Sequence, residues 1–352
     1  MPLEKIYVLH KHGAKGHYVG LECLAKEHNL SIEYYEFSIL STLLKSAIKL
    51  DLRTFRKQVD NIAFFRSLKK SKNKKIILGI APYDYKLVSL LPYLEKHHIY
   101  YHTSWTCWDK SFYPNHKKNT DLLFEQWRNF LEFKVRHIFA VTTKTKKELN
   151  GNYSIDDTKI SVVYHALKSA FHLHEAEERK EHSFIYVGRL LQQKGIEELV
   201  SFFERRTEAS LTIIGDGKLS ELVKEKAVKH SNIHFITPIY DADELAKLYR
   251  RHQYVVLNSK RTAKWEELFG IILIEGMSQG TIPIASNHPG PKEIITGDNG
   301  FLFPEGELHA TLNKILKNNT SIHSMSQQAL ASSAQFHQKN IAQRWKKILV
   351  KK

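Results

Sequence analysis

The chain has 352 residues, 42% of them hydrophobic, which is enough for two ordinary cores and excludes a disordered chain. Its net charge of +16 is uneven: residues 1–175 hold 28 Lys and Arg against 17 Asp and Glu, and residues 176–352 hold 25 against 20. Cys23 and Cys107, far apart and without metal-like spacing, exclude a disulfide scaffold and fit a reducing cytosol. No apolar run approaches the ~20 residues of a membrane span, and the first residues run straight into a strand-like segment, so no signal peptide is expected.

In chain order, residues 6–9 read as a strand that ends in a glycine loop holding Gly13 and Gly16. A helical pattern over 19–30 and a strand over 31–37 follow, the opening of a doubly wound α/β domain. Gly13 and Gly16 do not fit the dinucleotide fingerprint Gly-x-Gly-x-x-Gly, so NAD is not expected. Residues 40–68 carry apolar positions at helical spacing and lead into a lysine-rich run ending at Lys75. Residues 41–75 hold eleven basic and two acidic residues. Such a basic amphipathic segment suits an anionic membrane surface, and the alternative is a helix covering the sheet with its charges in water.

Residues 75–79 and 99–105 read as further strands, the second ending in a polar cluster with His102. The loop 103–119, rich in aromatic and basic residues, reads as a binding loop. A strand over 138–142, a helix over 144–149 and a strand over 159–166 complete a first domain, 1–170, and the polar stretch 171–182 reads as a linker. A second domain over 183–335 repeats the βα logic. Its first strand runs into Arg189 and Lys194, with Gly195 before a helix near Ile196. Two cations at a helix start are unfavourable unless an anion is held there, so the pair suits a diphosphate. Asp241 and Asp243 are expected to cap a helix rather than bind a metal.

Residues 265–285 are the most informative stretch: loop, buried helix from Gly270, a stop at Gly280, then a strand. Free N–H groups of Phe269, Gly270 and Ile271 at a helix start form an anion site. Ionised Glu267 and Glu275 are acceptor-only groups that suit the hydroxyls of a sugar or ribose. The plainer alternative leaves the acids merely complementing a helix N-terminus.

Glu267, Phe269 and Gly270, then Glu275 eight positions after Glu267, then Gly280 and Pro283, resemble the signature of the family-4 retaining glycosyltransferases. The segment from Gly188 and Arg189 to Lys194 and Gly195 resembles a second element of that family. The resemblance is strong across 183–303 and looser across 1–170. It implies a GT-B fold, two doubly wound Rossmann-like domains facing across a cleft, with a closing helix, 336–352, packed back on the first. It implies transfer of a sugar from a UDP- or GDP-sugar to an acceptor hydroxyl with retention of configuration, and no metal or other cofactor. Arg189 and Lys194, with the amides of Phe269, Gly270 and Ile271, would hold the diphosphate. Glu267 would hold donor-sugar hydroxyls and Glu275 the ribose diol. His102 and the Gly16 loop, each similar to a family element, would approach the donor from the first domain.

A basic first half suits a saccharide acceptor linked to lipid, as in bacterial surface polysaccharide or lipopolysaccharide assembly. The expected place is the cytoplasm, peripheral at the inner membrane face through residues 40–75. The rival classes are a nucleic-acid-binding α/β protein without the chemistry and a GT-B sugar-nucleotide epimerase. The first lacks any base-reading motif and leaves the acids and cations at these spacings unexplained, so no nucleic acid is expected.

Overall fold

The computed structural model describes residues 4–11, 13–48, 50–113, 121–171, 179–317 and 322–350. It resolves into two compact units, Met1–Ala166 with Gln338–Lys352, and Leu167–His337. Each is built on a six-stranded sheet whose strands all run parallel.

In the first unit the strands are β1 (Lys5–His10), β2 (Ser31–Glu36), β3 (Lys75–Gly79), β4 (His98–Thr103), β5 (His137–Ala140) and β6 (Ile160–Val162). The helices are α1 (Val19–Glu27), α2 (Ile39–Ile48), α3 (Leu52–Lys70), α4 (Lys86–Leu94), α5 (Asp121–Asn129) and α6 (Thr143–Asn152). The sheet order β2-β1-β3-β4-β5-β6 reverses between β1 and β3. Central strands β1 and β3 carry the unbroken apolar runs that burial on both faces requires. The C-terminal turns return to this unit: Ile341, Trp345 and Ile348 are buried against Ile6, Val8, Tyr18 and Phe139. The contact is close at Gly20, where an added β-carbon would fall 2.6 Å from Ile341.

Two sequence expectations change here. The single helical pattern over 40–68 is two helices. Leu50 turns the chain at φ +52, and the Asp51 carboxylate then accepts a hydrogen bond from the Thr54 amide, starting α3. An apolar period does not register such a break, because both helices keep the same spacing on either side of it. In the expected binding loop, Trp105, Trp108 and Tyr113 are packed as core. Trp108 is fully buried, its indole N–H donating to the Trp105 carbonyl and its ring packed against Tyr83, Tyr101, Trp127 and Tyr153. Residues 114–119 of that loop lie outside the described residues.

In the second unit the strands are β7 (Lys180–Val187), β8 (Ser210–Ile214), β9 (Ile233–Ile236), β10 (His252–Leu257), β11 (Ile282–Ser286) and β12 (Phe301–Phe303). Its helices are α7 (Ile196–Phe203), α8 (Ser220–Lys229), α9 (Ala242–Arg250), α10 (Ile271–Met277), α11 (Pro289–Ile294), α12 (Leu308–Lys317) and α13 (Ile322–Ser333). β7 begins at Lys180, so the last residues assigned to a linker are strand. Of that stretch, 172–178 lie outside the described residues. The order β12-β11-β10-β7-β8-β9 reverses between β10 and β7. Right-handed crossovers leave a crevice at such a reversal, outside the carboxyl ends of the strands. The core beneath it holds Phe184, Tyr186, Leu199, Phe203, Ile213, Val256 and Ile284.

Candidate functional site

The carboxyl ends of β7 and β10 bring together residues that are far apart in the chain. After β7, Gly188 and Gly215 pass so closely that a β-carbon on Gly215 would sit 1.8 Å from the Gly188 carbonyl oxygen. This contact fixes the turn that carries Arg189, whose side chain is exposed and whose carbonyl accepts a hydrogen bond from Tyr186 Oη at 2.9 Å. A short 3-10 turn, Gln192–Lys194, then ends at Gly195 in the left-handed conformation, φ +63. A β-carbon there would lie 2.2 Å from the Asn258 carbonyl oxygen. Only glycine both adopts this φ and tolerates that approach, and so the β7 loop is pressed onto the end of β10.

The consequence is an ion pair. Lys194 Nζ contacts Glu267 Oε2, with each side chain only 12% exposed. Ser259 Oγ donates to the same carboxylate oxygen at 2.7 Å, and the Lys194 ammonium lies 4.6 Å from the Trp265 ring centre. Two largely desolvated charges of opposite sign offset each other's burial, and removing one leaves the other costly. The structure therefore joins two residues that the sequence assigned to different parts of a donor. The neighbouring Glu266 is engaged elsewhere: it is buried and contacts the Arg261 guanidinium at 3.1 Å.

Glu267 leads into Phe269 and Gly270, both buried, and half-buried Ile271, the first residue of α10. Gly270 has φ +95, and Gly290 packs so near that a β-carbon on it would fall 2.4 Å from the Phe269 nitrogen. On α10 itself, Glu275 points inward. Burial pushes its carboxyl up to about 7, against the opposing effects of the Lys168 charge and of Tyr249 Oη, which donates to it at 3.3 Å. Burial raises both Tyr249 and Tyr186 above the usual phenol range, so each stays a hydrogen-bond donor, Tyr249 to Glu275 and Tyr186 to the Arg189 carbonyl. Asp241 caps α9, accepting from the amides of Asp243 and Glu244. Ser259, Trp265, Tyr186 and Tyr249 are absent from the residues singled out in the sequence. Ser259 was legible as part of a polar Asn-Ser pair closing an apolar strand, whereas the tyrosines read only as core.

In the first unit, His102 is buried at the end of β4. Its ring packs 4.9 Å from Tyr18 and 5.3 Å from Trp345, with Nδ1 3.2 Å from Tyr18 Oη. The His17 ring centre lies 4.6 Å from that of His165, which lies 6.2 Å from His102, and His10 is 6.3 Å from His17. Burial drives His102 well below the usual imidazole range, and His165, His17 and His10 add repulsion. His165 falls to about 3, chiefly through burial. Burial thus disfavours the charged form of both His102 and His165. Gly16 is exposed in the 3-10 turn Lys15–Tyr18, and an added β-carbon would meet nothing within 4 Å. In that loop it is Gly13, at φ +70, that needs the glycine backbone.

Residues 170–331 match the family model for glycosyl transferases group 1. This segment belongs to the glycosyl transferases group 1 family. An uncharacterized glycosyltransferase of Methanocaldococcus jannaschii is 29% identical over 190 residues, 48% of this chain and 47% of the relative. The O-antigen chain mannosyltransferase RfbU of Salmonella typhimurium is 26% identical over 178 residues, 49% of this chain and 48% of the relative. The chain spans about half the length of these curated relatives. Two solved structures are similar over 98% of this chain and 99% of theirs. HepE of Anabaena in complex with UDP and glucose superposes at a TM-score of 0.66 and 15% identity. The lipopolysaccharide outer core galactosyltransferase WaaB superposes at 0.62 and 20%. At these identities the likeness shows the fold, and that fold is the GT-B pair of Rossmann-like units.

Proposed function

We propose that the protein is a retaining glycosyltransferase that moves a sugar from a UDP- or GDP-sugar to an acceptor hydroxyl. The observation that carries this reading is the Lys194–Glu267 pair at the β7/β10 reversal, within the segment that matches the group 1 family. A cation held by one carboxylate over an aromatic face can exchange that carboxylate for a phosphate. On donor binding, Lys194 and Arg189 take the diphosphate, helped by the amides of Phe269, Gly270 and Ile271, and oppose the charge that grows as it leaves. Glu267, released from Lys194, takes sugar hydroxyls and so positions the anomeric carbon. Glu275 takes the ribose diol. From the first unit, His102 is a neutral acceptor or donor for substrate, and the Gly16 loop brings backbone to it. With protein cations as the counter-charge, the reaction needs no metal.

The relatives named for O-antigen and lipopolysaccharide synthesis, and the basic first half of the chain, favour a lipid-linked saccharide acceptor in the assembly of a bacterial surface polysaccharide. That acceptor places the enzyme at the cytoplasmic face of the membrane. No helix among the described residues is long and apolar enough to cross a membrane. The test is a thermal-shift panel of UDP, GDP, ADP and their sugar conjugates, with and without EDTA. A ligand at a hundred times its dissociation constant stabilises by about 2.7 kcal/mol. One base standing out, indifferent to EDTA, supports the reading. A flat panel, with nucleic-acid affinity that falls steeply with salt, would put the nucleic-acid-binding alternative in its place.

A further inference from the structure

The connection between α2 and α3 holds large apolar side chains in solvent. Leu44 is 66% exposed, Ile48 82%, Leu50 84% and Leu52 80%, and Phe55 and Val59 follow along α3 at 39% and 47%. Single exposed leucines are ordinary, but a run concentrated at one helical hairpin marks a contact surface. The backbone sharpens the point. Leu50 has φ +52, a conformation that a β-carbon disfavours and in which glycine or asparagine usually stands. Its side chain gains little burial in return, so a leucine at this position is unfavourable for folding.

Charge decides what covers this surface. Residues 44–60, around the tip itself, hold five basic residues and two acidic ones, and Arg53 and Arg56 are exposed on the first turns of α3. A second copy would set this cationic segment against itself, and nucleic acid would leave the leucines in water. An anionic bilayer satisfies both features, with headgroups for the cations and acyl chains for the apolar tip. Asp51, Arg53, Thr54 and Lys57 of the same turns also line a groove of about 1340 Å³, together with Lys15 and Glu36. A polar-headed amphiphile lying in the bilayer would therefore meet a polar wall next to the tip.

We propose that the α2–α3 tip is a membrane wedge: Ile48, Leu50 and Leu52 enter the acyl region of an anionic leaflet while the flanking cations hold its headgroups. This deepens the membrane placement proposed above and rests on it, and because binding needs neither donor nor acceptor, its failure would leave the transfer reaction itself standing. The experiment is flotation of the full chain with phosphatidylcholine vesicles, with and without phosphatidylglycerol, in the absence of nucleotide. The wild type is compared with a triple variant, Ile48→Ser, Leu50→Asn and Leu52→Ser. Wild type should float with the phosphatidylglycerol vesicles, and the variant's partition should fall by about ten-fold or more. Its melting temperature should not fall, because these side chains are exposed and Asn accepts the Leu50 backbone. Wild type that stays with the soluble fraction, or a variant that floats equally well, overturns the proposal. Light scattering that shows a wild-type dimer lost in the variant, without vesicle binding, overturns it in favour of a second copy as occupant.

Discussion

Acidifying the solution from pH 8 to pH 6 should weaken donor binding through Glu275. Burial raises its carboxyl to about 7, so in the free protein it is half protonated at neutrality. If ribose hydroxyls donate to the ionised carboxylate, the donor binds that form alone. The apparent dissociation constant is then multiplied by one plus ten to the power of pKa minus pH. With a pKa near 7 this factor is about 1.1 at pH 8, about 2 at pH 7 and about 11 at pH 6. The loss between pH 8 and pH 6 is thus roughly ten-fold, or about 1.4 kcal/mol. Isothermal titration with an intact nucleotide sugar is the assay, because a free diphosphate has a terminal phosphate that titrates near pH 6. Repeating the titration at pH 7 in buffers of different ionisation enthalpy should reveal release of about half a proton per donor. Glu275→Gln, neutral and nearly isosteric, should bind with a flat pH profile. A flat wild-type profile without proton release, or the same slope in the Gln variant, would refute the assignment of Glu275 to the ribose.

Glu267→Gln should leave nucleoside diphosphate affinity intact or tighter, since it frees Lys194, while turnover falls; equal loss of affinity and turnover would contradict the role given to Glu267. Lys194→Ala should weaken the diphosphate by about ten- to a hundred-fold, as for a lost charge-assisted bond, and leave the free nucleoside nearly unaffected in the same calorimetric titration. Gly195→Ala should destabilise the second unit by more than about 2 kcal/mol in urea denaturation, because it adds both a strained φ and a 2.2 Å clash with Asn258. Stability should also respond to pH in opposite senses at two sites. Glu275, raised in the folded state from an ordinary 4.5 to about 7, contributes stability that is lost as pH rises through that window. His165, depressed from 6.5 to about 3, stays neutral when folded, so its contribution is lost as pH falls below 6.5. Each slope is about 1.4 kcal/mol per pH unit within its window. On acidification from pH 6.5 to pH 5, Glu275→Gln should lose stability more steeply than wild type, and His165→Asn less steeply, in the same denaturation assay.

Much of this molecule is written locally. The buried runs of β1, β3 and β10 stand out as apolar stretches, and Gly195 and Gly270 are two of the glycines at which the backbone turns left-handed. The resemblance to a family signature singled out Arg189, Lys194, Glu267 and Glu275, because side-chain type and interval are properties of the chain itself. The break at Leu50 and Asp51 was local as well, yet hidden, since periodicity reads the face of a helix and not its continuity. What the tertiary structure alone decided is which partners these groups find. Lys194 and Glu267 are 73 residues apart, and they touch because a parallel sheet brings the ends of β7 and β10 side by side. Burial raises the Glu275 carboxyl to about 7, and Trp105, Trp108 and Tyr113 of the 103–113 loop are packed as core, for one common reason. Desolvation belongs to the whole surrounding packing, and no interval along the sequence encodes how much water a side chain loses.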